Sequence, residues 1–238
     1  MEMKPIKITE RNIMFTQERP FIGMDFDLNL GLILGRKNNF IIDTGFGSGS
    51  VAPMLEYIDG VEFARGKPIV VINTHSHWDH VWGNCVFEKN LIIAHPLWNK
   101  FADRDWDKDM QKFARYVDGD ARKCPPNMTF EDVLRFPDDS VTIFHSSGHS
   151  ADCISVYDET DKILYAGDNI GDTDSEPVPY IETDVPTFER MIETYRKYPF
   201  QTCISGHNKP QGKDILTRMA DSLEESWKRQ IEKYGLPV

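Results

Sequence analysis

The sequence predicts an α+β fold. Three observations carry it: short apolar runs rich in Ile, Val and Leu bounded by turn residues, helical stripes with apolar residues three or four apart, and the interleaving of both along the chain. At 238 residues and 40% apolar composition the chain can bury a substantial core. It reads as a single domain over residues 1–238, with a helical, cap-like insertion at about residues 96–137.

Residues 6–15 read as the first strand. Residues 28–34 and 40–42 follow as a hairpin joined by the polar turn Arg36-Lys37-Asn38-Asn39. Residues 51–58 suit a short helix ended by Asp59-Gly60, and residues 69–72 form a continuous apolar strand. Residues 91–94 make another. Between Pro96 and Pro137 the composition turns charged and aromatic, and Ala102, Trp106, Met110, Phe113 and Val117 recur at the spacing of an amphipathic helix. Two roles fit that stripe: a cover over the core, or a cap whose Trp98 or Trp106 lines a substrate pocket. Cys124-Pro125-Pro126-Asn127 breaks the helix. Strands resume at 141–144, 153–157 and 163–165, and a helix over 186–198 has Asp184 or Thr183 placed to cap its free N–H groups. Residues 202–205 form a last short strand. A final helix over 215–234 aligns Ile215, Met219, Leu223, Trp227 and Ile231 on one face and stops at Gly235.

A net charge of −11 argues against a nucleic-acid partner, since such affinity rests on clustered Lys and Arg. No apolar stretch approaches the roughly 20 residues that span a bilayer. Cys85, Cys124, Cys153 and Cys203 have no Cys-x-x-Cys spacing, and the start Met-Glu-Met-Lys-Pro lacks the apolar core of a signal peptide. Reduced thiols and a cytoplasmic protein are the expectation, with a homo-oligomer left open.

Chemistry concentrates in residues 74–80, Thr-His-Ser-His-Trp-Asp-His, directly after the strand at 69–72. Three imidazoles and a carboxylate on so short a loop are the donors that Zn²⁺ and other borderline first-row ions accept. Trp78 and Trp82 flank the loop and are expected to pack it. Three further candidates stand at the ends of predicted strands beside a glycine: His149 in Ser-Gly-His-Ser, Asp168 in Ala-Gly-Asp and His207 in Ser-Gly-His. His145 and His95 are read as structural, and the cysteines as ordinary thiols.

Taken together, His75-x-His77-x-Asp79-His80, His149, Asp168 and His207, in that order and in those glycine contexts, resemble the metallo-β-lactamase superfamily. The likeness runs from Ile42-Asp43-Thr44-Gly45 to His207. It implies a four-layer αββα sandwich of two mixed β-sheets with helices on the outer faces, and a two-metal site along one edge. His75, His77 and His149 would hold the first metal, Asp79, His80 and His207 the second, and Asp168 would bridge both. Asp43 would orient ligands without binding metal. Zinc is the family's expectation, though the donors also accept iron or manganese. Two such ions make a bridging hydroxide available near neutral pH, and Asp79 would pass a proton to the leaving group.

Within the family the resemblance is to the hydroxyacylglutathione hydrolase and lactonase-like branch, because two-zinc β-lactamases typically carry Cys where this chain has Asp168. Hydroxyacylglutathione hydrolases add a C-terminal helical region with basic residues; here one helix follows His207, with Lys209 and Lys213. Homoserine-lactone hydrolases usually carry Tyr three positions after the bridging Asp, where this chain has Gly171; Tyr165 and Tyr180 are the candidates to replace it. The resemblance thus implies a hydrolase of ester, thioester or lactone bonds in a small molecule. The alternatives are a phosphodiesterase and an iron-dependent sulfur dioxygenase or oxidoreductase of the same fold.

Overall fold

The computed structural model describes residues 3–18 and 26–235. Seven strands build one sheet in chain order: β1 (Lys4–Lys7), β2 (Asn12–Gln17), β3 (Leu28–Leu34), β4 (Asn39–Ile42), β5 (Ile69–Ile72), β6 (Leu91–Ala94) and β7 (Met128–Thr129). The pairs up to β3–β4 are antiparallel; those from β4–β5 onward are parallel. The second sheet has the order β12-β11-β10-β9-β8, from β8 (Val133–Phe136), β9 (Val141–His145), β10 (Ile154–Asp158), β11 (Ile163–Gly167) and β12 (Thr202–Ser205), and within it β11 and β12 run parallel. The helices are α1 (Ser48–Gly60), the single turn α2 (Trp78–Val81), α3 (Leu97–Phe113), α4 (Val185–Arg196) and α5 (Ile215–Tyr234).

Strand alternation explains the layers, because successive side chains leave opposite faces of a sheet. Phe40, Ile42, Val70, Ile72 and Ile93 pack against Ile143, Ile154, Val156, Ile163 and Tyr165 from the facing sheet. Their neighbours Ile41, Val71 and Ile92 point the other way, onto Val51, Met54 and Ile58 of α1. On the far side of the second sheet, Leu164 and Cys203 meet Phe188 and Ile192 of α4 and the Ile215, Met219 and Leu223 stripe of α5. The result is the four-layer αββα sandwich. Each such fully buried aliphatic side chain contributes about 1.5–3 kcal/mol relative to exposure. Gly31 in β3 makes room for one large neighbour, since a Cβ there would lie 2.5 Å from Tyr165 Cε1.

Local chemistry moves some boundaries. The strand expected over 6–15 is two strands, because Thr9 Oγ1 accepts from the backbone N–H groups of Arg11 and Asn12 and closes a turn. Asp184 caps α4 by accepting from Thr187 N–H at 2.7 Å. The stretch expected as a helical insertion at 96–137 is helical only in its first half. Its second half supplies β7 to one sheet and β8 to the other, two strands too short or too exposed to show an apolar pattern. Among the described residues no helix is long and apolar enough to cross a membrane.

Candidate metal centre and active site

The ends of the strands bring the chemistry together. β4 delivers Asp43, β5 delivers His75, β11 delivers Asp168 and β12 delivers His207, all at the C-terminal ends of strands in parallel pairs along one edge of the sandwich. The loop after β9 adds His149. After β5 the chain runs extended to His77 and then makes the turn α2, which directs Asp79 and His80 back toward His75. Thr44 N–H holds the His80 carbonyl at 2.7 Å, and a reciprocal amide pair between Asn73 and Asn84 braces the loop from below. Gly206 is required where it stands: a Cβ would press into Asp168 Oδ1 and lie 2.8 Å from His80 Cε1.

Seven donor side chains converge in two sets, one of His75, His77, His149 and Asp168, the other of Asp79, His80 and His207. His149 Nε2 lies 3.1 Å from His77 Nδ1. Asp168 reaches both sets, with Oδ1 at 3.2 Å from His80 Nε2 and Oδ2 at 3.2 Å from His207 Nε2 and 3.6 Å from His75 Nε2. Asp79 Oδ2 stands 3.4 Å from His207 Nε2.

The outer nitrogen of every one of these imidazoles is engaged. His149 Nδ1–H donates to the Tyr180 carbonyl at 2.6 Å and His207 Nδ1–H to the Asp27 carbonyl at 2.8 Å. His80 Nδ1 meets Asp43 Oδ2 at 2.8 Å, and His77 Nε2 meets Glu182 Oε1 at 3.2 Å. Thr74 gives its hydroxyl proton to Asp43 Oδ2, so its oxygen accepts from His75 Nδ1–H. In their neutral form, five rings so held would all turn a nitrogen lone pair inward. His75 Nε2, His80 Nε2 and Asp168 Oδ1 are buried with no hydrogen-bond partner, an arrangement that costs free energy unless a cation takes the lone pairs. The donor set therefore fits divalent metal ions. Asp43 adopts a left-handed backbone (φ 61°), a conformation Asp tolerates, and this aims both carboxylate oxygens at Thr74 and His80.

Without metal charge the cluster holds protons instead. Burial disfavours the His77 cation, but the Glu182 carboxylate outweighs it and raises the His77 pKa to about 9. Burial likewise opposes His207, and Asp168 beside it prevails, raising its pKa to about 10. His75, fully enclosed and facing other imidazoles, is held well below the usual range by burial and by His80.

His77, Asp79, His149, Asp168 and His207 line a cleft of about 500 Å³ together with Phe26, Trp78, Phe113, Tyr116, Asp172, Pro179 and Tyr180. Trp78 stacks on Phe113 at 4.3 Å and 12°. This corrects the expected pocket. Trp98 is completely buried with Val81, Trp82 and Ala102, and Trp106 packs on the same cluster. Neither lines the cleft: both pack with Val81 and Trp82, and the stripe of α3 reaches the cleft through Phe113. Trp78, expected to pack the loop, does so and also forms part of the wall. Tyr165 is enclosed between the sheets and donates to Asn12 Oδ1, so of the two tyrosines expected there only Tyr180 lies at the site, where Tyr116 joins it. His145 and His95 stack on each other at 4.1 Å, outside both sets. The four cysteines are free and buried. Sequence reasoning missed Glu182, Thr74 and the carbonyls of Tyr180 and Asp27; only Thr74, adjacent to the histidine cluster, carried a local signal.

Comparison with known proteins agrees with this fold. The family model described as the metallo-beta-lactamase superfamily matches residues 25–235. The chain is 27% identical to the acyl-coenzyme A thioesterase MBLAC2 of Homo sapiens, over 88% of this chain and 83% of that protein. It is 23% identical to a metallo-beta-lactamase type 2 of Elizabethkingia meningoseptica, over 96% and 88%. Among solved structures, the metallo-beta-lactamase of Erythrobacter litoralis superposes with a TM-score of 0.73 at 19% identity, covering 94% of this chain and 97% of that one, a likeness of fold.

Proposed function

The chain belongs to the metallo-β-lactamase superfamily, and from that premise we propose that it is a two-metal hydrolase of thioester, ester or lactone bonds in a small molecule. The observation that carries the reading is the double ligand set, with Asp168 between its halves and every outer imidazole nitrogen engaged. His75, His77 and His149 would hold one ion, Asp79, His80 and His207 the other, and Asp168 both. Zinc suits a set of imidazoles and carboxylates, and iron and manganese are the alternatives. When bound, such a pair supplies Lewis acidity and makes hydroxide available near neutral pH.

The chain's own residues account for the rest. None of the four buried cysteines lines the cleft, so no thiol stands where a nucleophile would be needed. Asp79, which lines the cleft beside His207, would hold a proton for the leaving atom. The aromatic walls supply an apolar surface for an acyl chain and exclude water from the carbonyl. A carboxylate at position 168, where two-zinc β-lactamases typically have Cys, leads the reading away from lactams. The thioesterase named among the relatives supports a thioester first.

A panel of thioesters, esters, lactones, phosphodiesters and a β-lactam, run on protein of measured metal content, tests the proposal. Thioester or ester turnover should exceed the others. Preferential phosphodiester cleavage, or one iron per chain with oxygen uptake on a persulfide, would overturn it.

A further inference from the structure

Between β11 and α4, residues 178–183 cross behind the first ligand set and touch it repeatedly. The Tyr180 carbonyl accepts from His149 Nδ1–H at 2.6 Å, and the Glu182 N–H donates to the His149 carbonyl at 2.7 Å. Glu182 Oε1 meets His77 Nε2 at 3.2 Å, and Thr183 Oγ1 donates to the Gly148 carbonyl. This segment belongs to no strand of either sheet. Val178 and Ile181 bury their side chains in the core beneath α4 and α5, and one side chain of the last helix fixes the segment's backbone. Gln230 Oε1 accepts from Ile181 N–H at 2.9 Å while Gln230 Nε2–H donates to the Pro179 carbonyl at 2.8 Å. Both ends of one amide thus close on neighbouring peptide groups, as a paired strand would, and because one partner is a donor and the other an acceptor the amide has one orientation. The second ligand set has no such dependence. His80 rests on Asp43, and His207 on the Asp27 carbonyl.

We propose that Gln230 is a positioning residue for the first ligand set: by pinning residues 178–183 it aims the inward nitrogens of His77 and His149, and so sets the affinity of the first metal ion without affecting the second. The inference rests on the two-metal reading above. Neither Glu nor Leu could replace the amide, since Glu lacks the donor for Pro179 and Leu lacks both groups.

The test is a Zn²⁺ competition titration against a chelator on the full chain, with Co²⁺ absorption as a second readout of ligand geometry. His149→Ala and His207→Ala identify which binding step belongs to which set. Gln230→Met keeps the volume and removes both hydrogen bonds; it should weaken the first step by about tenfold or more, as loss of a partner behind a ligand typically does, and leave the second unchanged. The Co²⁺ spectrum should change in the first-set band alone. Gln230→Glu, which keeps the acceptor, should fall between Gln230→Met and wild type, and it decides the matter if Gln230→Met does not fold. Equal weakening of both steps, or none in either, would overturn the proposal. A wild-type chain that binds no divalent ion would overturn the two-metal reading itself, an outcome distinct from unchanged affinities in a chain that does bind.

Discussion

The two halves of the ligand cluster are held in different ways. His80 and the Asp43 carboxylate behind it are 0% and 4% exposed, joined inside the edge of one sheet, whereas His77 and Glu182 are 26% and 34% exposed and joined across a loop. In the first case the orienting group is a buried charge on a strand end, doubly satisfied by Thr74. In the second it is a partly exposed carboxylate, screened by water, on a segment to which Gln230 is hydrogen-bonded. The lesson is that His80 is oriented from inside the sheet and His77 from the surface, so on the two-metal reading the first set should be the more adjustable half.

The largest effect should come from the residue both halves share. Asp168→Ala removes the oxygen atoms that reach both sets; bound metal by elemental analysis should fall, and hydrolysis should drop about a thousandfold or more, equivalent to roughly 4 kcal/mol in the barrier. Full activity with unchanged metal would break the assignment. Next, Asp43→Ala should separate the halves. It strands Thr74 N–H and His80 Nδ1–H, so chemical denaturation should show a loss of about 2–3 kcal/mol, and the second ion should bind about 10–100-fold more weakly. The first ion's affinity should fall less, because Asp43 reaches that set only through Thr74 and His75, and the reverse order of effects would reverse the comparison.

Smaller effects sharpen it. With His77 and His207 titrating near 9 and 10 in the metal-free protein, both rings carry protons at pH 8. Metal uptake must displace those protons, so affinity should weaken as pH falls, and calorimetry in two buffers of different ionisation enthalpy should detect the release. In the cleft, Trp78→Ala should raise KM several-fold for long acyl chains. Trp106→Ala should lower Tm with little change in preference, since Trp106 packs on Trp82 outside the cleft wall. The smallest expected effect lies outside both sets. Burial and the stacked His145 depress His95 to about 4, below the unfolded value of about 6.5; the unfolded chain therefore binds the proton first, and stability should decline as pH falls from about 6.5 to 4. His95→Asn should flatten that decline in urea midpoints.

How much of this was legible in the sequence depends on the range of each interaction. The hairpin of β3 and β4 and the apolar stripe of α5 could be read because turn chemistry and helical period are local. The two strands around Thr9 could not, since a side-chain hydrogen bond divided one apolar run. β7 and β8 escaped because each is defined by its neighbour's edge and not by its own pattern. At the site, donors were readable as residue types, but the walls of the cleft were not: whether Trp78 or Trp98 faces the metal-binding edge depends on how α3 crosses α2, and aromatic content is the same in either arrangement.

By itself the sequence determined the donors and their approximate places, because a metal site selects His and Asp and strand ends are marked by apolar runs and glycine. Only the tertiary structure decided what holds those donors. The Tyr180 carbonyl lies 31 positions from His149 and the Asp27 carbonyl 180 from His207, and a backbone carbonyl is present at every residue and so leaves no mark of its role in the sequence. The orientation of a ligand depends on such partners as much as on its own identity. For this protein they come from opposite ends of the chain, brought together by the packing of two sheets and a final helix.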